Sequence, residues 1–172
     1  MVSITSSLRR IKLIILAAQE FVDTYYEAIN NQRLRTTLPS FYIKPTPASP
    51  LKPDISMNGN IIADPAELQT IFEKQIDKTH YEVQSFDCHV LNTNYNVGAN
   101  EAALGLDKTG KKMSIMVMIS GSTKYWKDGG DGEVRGFTEN IVLVPNWEAQ
   151  GPKAAKGAKR WLIQSQNFRL VT

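Results

Sequence analysis

The run Ser114-Ile115-Met116-Val117-Met118-Ile119 constrains the fold more than any other stretch of this chain. Its residue types suit a strand, and successive side chains of a strand point to opposite faces. A strand with one face in water alternates apolar and polar residues, whereas this one is apolar on both sides. Ile141-Val142-Leu143-Val144 and Trp161-Leu162-Ile163 repeat the pattern. A sheet built from such strands needs a cover on each face. Either the chain supplies both covers, or a second molecule supplies one.

The means for making covers are limited. With 172 residues the chain is long enough for one good core and short for two. Hydrophobic residues at 42% and charged residues at 22% exclude wholesale disorder. A formal net charge of +3 is too small to argue by itself for a nucleic-acid partner. One cysteine, Cys88, forbids an intramolecular disulfide and fits a reducing compartment; it reads as a small buried hydrophobe. Arg9-Arg10 followed by an Ile/Leu-rich run imitates a short signal peptide, but Lys12 interrupts the run and the helical pattern continues to Ile29, so a structural helix is expected. No apolar run approaches the ~20 residues that span a bilayer.

Periodicity assigns the elements. Leu8, Ile11, Ile15, Ala18, Val22, Tyr25 and Ile29 recur at three and four, predicting a helix from about Ser6 to Asn31. Its upstream half is richer in Ile and Leu than one stripe requires. A short helix is expected over Arg33–Ser40, then a proline-rich loop through Pro45, Pro47, Pro50 and Pro53. Asn58-Gly59 marks a hairpin. Asp64-Pro65-Ala66-Glu67 starts a helix reaching Lys78, with Asp64 capping and Glu67 reaching back. The period then changes to two, giving strands over Val83–Leu91, Ser114–Trp126, Arg135–Val144 and Trp161–Val171, with an extra strand expected near Ala102–Leu106. The order predicts one α+β domain over residues 1–172, with three helices on one face of a curved antiparallel sheet. Nothing left in the chain covers the other face.

These segments, in order, resemble the nuclear transport factor 2-like family. Phe21-Val22-Asp23-Thr24-Tyr25-Tyr26 is similar to its first-helix signature, and Phe41-Tyr42 to its aromatic pair. Asn58-Gly59-Asn60 with the helix from Pro65, then Ile115–Gly121, Gly136-Phe137 to Leu143, and Trp161 to Phe168-Arg169-Leu170, follow in register with its later segments. Asp87-Cys88-His89 and Ile119-Ser120-Gly121-Ser122-Thr123-Lys124-Tyr125 resemble the small mRNA-export subunit more than the Ran carrier; the long first helix and the insert before Trp161 resemble its fungal form. The resemblance implies a cone-like sheet with the helices on its concave face. It also implies face-to-face pairing with the similar domain of a large export-receptor subunit, and nucleoporin contact through that heterodimer. It further implies transit of ribonucleoprotein through the nuclear pore, with shuttling between nucleus and cytoplasm. A homodimeric Ran-type carrier and a small-molecule isomerase or dehydratase on the same scaffold are the alternatives.

Candidate residues follow. Arg169, after Phe168, stands where the resembling small subunit forms an ion pair across its dimer, and a guanidinium suits a two-pronged carboxylate contact. Met116, Met118 and Ser120 share one strand face and are assigned to the partner, although periodicity does not say which face meets the helices. Asp87 and His89, two apart, project together and form the one pair that suggests acid–base chemistry; a polar role at the partner face is expected instead, and no catalytic residue is assigned. Lys153, Lys156, Lys159 and Arg160 make the insert Pro145–Arg160 a basic, mobile surface loop, which is either simply solvated or able to bind phosphate backbones; the resemblance to the fungal subunit implies RNA or pre-ribosomal particles, and Lys108, Lys111 and Lys112 form a second basic spot. No metal-ligand spacing, phosphate loop or nucleophile elbow occurs, so no metal or cofactor is expected. Gly129-Gly130-Asp131-Gly132 reads as a hairpin turn.

Overall fold

The computed structural model describes residues 4–76, 78–101, 104, 111–126, 130–150 and 154–171. Helix α1 (Ile4–Asn30) buries Ala18, Val22, Tyr25 and Ile29 of the stripe read from spacing, with Phe21 and Tyr26 beside them, but Leu8, Ile11 and Ile15 of that stripe are exposed, because the sheet does not reach beneath them. A 3-10 helix, η1 (Gln32–Phe41), follows, with Asn31 accepting from Arg33 N at its start. Helix α2 (Pro65–Lys74) begins as expected, with Asp64 accepting from the amides of Ala66 and Glu67. Glu67 reaches one residue further back than a capping box requires, to Ala63 N at 2.7 Å. The helix ends at Lys74, short of Lys78, and buried Arg35 takes the carbonyls of Phe72 (2.6 Å) and Ile76 (3.1 Å) there, while its Nε donates to Ile29 O. One guanidinium thus satisfies carbonyls left open at the ends of both α-helices.

The sheet contains β1 (Asp54–Met57), β2 (Asn60–Ile62), β3 (Thr79–Asn92), β4 (Ser114–Tyr125), β5 (Glu133–Pro145) and β6 (Trp161–Val171), in the spatial order β2-β1-β6-β5-β4-β3. β3 to β6 form the expected antiparallel meander. One pairing departs from an all-antiparallel sheet: β1 lies parallel to β6. Asn58 and Gly59, both at positive φ, turn β1 back into β2, and Asn58 then locks the hairpin to β6 through Asn58 N to Phe168 O and Leu170 N to Asn58 Oδ1, both 2.8 Å. Turn chemistry fixes the hairpin; the strand beside which it lands is a tertiary matter. The Ala102–Leu106 expectation lies almost wholly outside the described residues, as does Gly129 of the β4–β5 turn.

Register shifts at Val83/Ser85 and Val90/Asn92 of β3 and at Val142/Leu143 curl the sheet. At the first of these Gly121 lies against β3 so closely that a Cβ would fall 2.0 Å from Glu82 O. The helices fill the concave side. Ile115, Val117, Ile119, Phe137, Ile141, Leu143 and Ile163 meet α1, η1 and α2 there, almost wholly buried.

Candidate functional site: the outer sheet face

The convex face lies open. Along β4, Met116, Met118, Ser120 and Ser122 alternate with the buried residues and are each half-buried. Registry places His89, Met116, Val142 and Ser165 in one cross-strand row. Asp87, Met118, Asn140 and Asn167 form the next, and Ser85, Ser120, Thr138 and Arg169 the third. The site residues read from sequence on three different strands, β3, β4 and β6, therefore share one face. It grades from apolar around Met116 and Val142 to polar around Ser120 and Thr138. At the apolar end, Tyr95, Val97 and Trp147 line a groove with Val144 and Leu162, and Trp147 Nε1 donates to Val97 O at 2.9 Å.

Arg169 is exposed beside the Asn58-Gly59 turn, its guanidinium nitrogens 3.8 and 3.9 Å from where a Gly59 Cβ would stand. No acid among the described residues pairs with it, which leaves its fork available. Asp87 Oδ2 and His89 Nε2 are 3.1 Å apart and both exposed, on the open face and away from any enclosed chamber. Cys88 points to the other side of β3, half-buried rather than buried; desolvation first, then the Asp87 charge, pushes its thiol up, away from the reactive range.

The concave interior is where this scaffold could enclose a small molecule. Here it is closed by a network that sequence reasoning missed. Glu139 accepts from Tyr26 Oη and Gln166 Nε2, Gln166 Nε2 donates to Tyr25 Oη at 2.7 Å, and Tyr42 Oη donates to Gln166 Oε1. The space left between Tyr26, Phe72, Tyr81 and Phe168 is about 10 Å³, no more than one water needs. The signal was present in the parity of β5, where Glu139 shares its face with Phe137 and Ile141.

Burial pushes the Glu139 carboxyl up from 4.5, against the two donors, which lower it. The native state therefore holds this proton to higher pH than the unfolded chain. Its stabilising contribution is full below the unfolded value and falls as pH rises through the raised native one. The urea midpoint of the wild type should decline across that window, and Glu139→Gln should flatten the slope. An unchanged slope in the variant would assign the pH dependence to another group.

The basic insert is better anchored than a mobile loop. Asn146 ties its two ends together, N to Arg160 O at 2.9 Å and Nδ2 to Lys159 O at 2.7 Å, and Trp147–Ala149 forms a turn of 3-10 helix, η2. Lys159 bonds Ser40 Oγ at 2.9 Å with its ammonium 4.2 Å from the Phe41 ring centroid; desolvation there lowers its pKa. Lys156 and Arg160 are exposed, and Lys153 lies outside the described residues. The second basic spot does not form as expected, because Lys112 is buried; Lys111 is exposed and Lys108 lies outside the described residues.

A helix-lined cone with an open convex sheet is the fold of nuclear transport factor 2: the Ntf2 structure from Cryptosporidium parvum matches with a TM-score of 0.58 at 16% identity, over 92% of this chain and 94% of that one. The chain belongs to the family of the nuclear pore RNA shuttling protein Mtr2, whose model matches residues 14–131. A chain of the Sac3N peptide-bound Mex67:Mtr2 structure matches with a TM-score of 0.80 at 26% identity, covering 92% of this chain and 99% of that one. A chain of the Chaetomium thermophilum Mex67 NTF2-like domain complexed with Mtr2 matches at 0.78 and 27%, covering 92% and 98%. No curated protein sequence matches at significance.

Proposed function

We propose that this chain is the non-enzymatic small subunit of a nuclear mRNA export heterodimer and docks through its convex sheet face onto the NTF2-like domain of a Mex67-type large subunit. The observation that carries this reading is the half-buried Met116–Met118 surface, flanked by Arg169, Asp87 and His89, on a sheet whose other face is already filled. The relative from Chaetomium thermophilum is itself a complex of such a domain with Mtr2. The interface then acts by stabilising the large subunit's matching domain, and nucleoporins are met through the pair as it carries ribonucleoprotein between nucleus and cytoplasm. Membership in the Mtr2 family favours this over the Ran-type homodimer. The side-chain-filled interior favours it over an isomerase or dehydratase. Any RNA or pre-ribosomal contact falls to Lys156 and Arg160 with Lys153, since Lys159 is engaged by Ser40 and Phe41.

Co-expression tests the proposal. The chain should be poorly soluble alone and recovered as a stoichiometric complex with the tagged NTF2-like domain of a Mex67-type subunit. Arg169→Asp should weaken that capture by at least about tenfold at moderate salt, because it places a like charge against the carboxylate the arginine would meet. A well-behaved homodimer that ignores the large subunit would overturn the reading.

A further inference from the structure

Residues 8–12 of α1 stand outside the packed body of the protein. Burial begins at Ile14; upstream of it Leu8, Arg9, Arg10, Ile11 and Lys12 are all exposed, and beyond it Ile15 and Leu16 remain so. Four large aliphatic side chains, Leu8 (61%), Ile11 (52%), Ile15 (49%) and Leu16 (56%), thus stand in solvent within nine residues. Leu8, Ile11 and Ile15 lie on the same side of the helix as Val22 and Ile29, so the stripe that makes the core runs on after the core has ended. This accounts for the surplus of Ile and Leu at the start of the chain. Neither the concave packing nor the convex face uses it.

Charge indicates the chemistry of the missing cover. Arg9, Arg10 and Lys12 stand among the aliphatic residues, and no acidic residue precedes Glu20. Arg9 and Arg10 fall on the far side of the helix from Leu8, Ile11 and Ile15, but exposed Leu16 lies there with them, so the cations are not segregated from aliphatic side chains. At 3.6 residues per turn, Lys12 falls between Ile15 and Leu16, and Arg9 between Leu16 and Leu13. A helix that lies on a membrane separates its cations from its apolar face. A second copy of the same segment would bring cations against cations. Interleaved cations and aliphatic residues match a protein segment that carries acids and aliphatic residues at helical spacing.

We propose that residues 8–16 of α1 form a docking site for an acidic amphipathic helix of a partner protein, separate from the sheet face. Two-turn helices are marginal without packing, so such a partner would also stiffen the overhang. A fluorescent peptide of Glu and Leu, with Leu at i, i+3, i+4 and i+7, serves as probe against the chain co-purified with its large-subunit domain. It should bind with salt-sensitive affinity, and a Lys/Leu peptide of the same pattern should not. Leu8→Ser with Ile11→Ser and Ile15→Ser should weaken binding by at least about tenfold, since the aliphatic contact is removed. Arg9→Glu with Arg10→Glu and Lys12→Glu should reverse the preference between the two peptides. All six positions are exposed, so both variants should keep the heterodimer. The proposal fails if the peptide binds wild type and variants alike or not at all. It fails equally if phosphatidylserine-containing vesicles retain the complex more tightly than the peptide does, or if the segment instead drives self-association that the serine variant abolishes.

Discussion

Met118→Asp should all but eliminate capture by the large subunit's domain while leaving this chain folded. Met118 lies in the middle of the convex face, between Asp87 on β3 and Asn140 on β5. Truncating a central anchor in a desolvated interface typically costs about 2 kcal/mol or more, and an unpaired buried charge adds to that. A total near 4 kcal/mol corresponds to roughly a thousandfold in affinity. Aspartate is chosen over lysine because a lysine could pair with Asp87 across the strands, whereas a second carboxylate repels it. In the free chain the site is only half-buried, and like charges directly opposite on a sheet cost at most about 1 kcal/mol. Affinity by titration calorimetry and thermal melting of the chain should therefore separate. A melt as damaged as the binding would place Met118 in the core.

Gly121→Ala should be among the most damaging single-methyl additions in the protein. The new Cβ would stand 2.0 Å from Glu82 O, 3.0 Å from Glu82 C and 2.9 Å from the Phe137 ring. Two of those atoms are backbone, and the third belongs to a ring stacked on Phe168 with centroids 5.5 Å apart, so neither side yields cheaply. Relief requires β3 to move away at its Val83/Ser85 bulge, where the sheet bends. Overpacking of this kind usually costs about 1–3 kcal/mol, and contact with backbone puts this site at or above the upper end. Gly136→Ala is the control, because its Cβ would come no closer than 3.4 Å to Val171, an ordinary contact on the exposed face. Loss of soluble complex for the first variant and its retention for the second would tie Gly121 to curvature; equal tolerance of both would refute that account.

Locally encoded features were readable in the sequence. The N-cap at Asp64, the Asn58-Gly59 turn and the downstream half of the α1 stripe, from Ala18 to Ile29, depend on residues within a few positions of each other, and all three appear where expected; the upstream half, Leu8, Ile11 and Ile15, is helical as read but not buried. Strand periodicity also placed Arg169, Met118 and Asp87 in sets that the register later joined. The parallel landing of β1 on β6, the capture of Lys159 by Ser40 and the closure of the interior by Glu139 could not be read in this way. Lys159 and Ser40 are 119 positions apart, and Tyr42 and Gln166 are 124 apart. No local pattern records which partner a distant polar group will meet.

The doubly apolar strand Ser114–Ile119 marks the boundary between the two kinds of information. Alternation of side chains in a strand is a covalent fact, so the sequence alone determined that two faces needed covering and which residues shared each face. It could not determine which face was which, because Met116 and Met118 suit a core as well as an interface. That was decided when the helices packed on the side of the sheet that carries Ile115, Val117 and Ile119, burying them in one core, and the sheet curled around that core at Gly121. The methionine face was left outside, and with it the surface through which this chain meets its partner in the function proposed here.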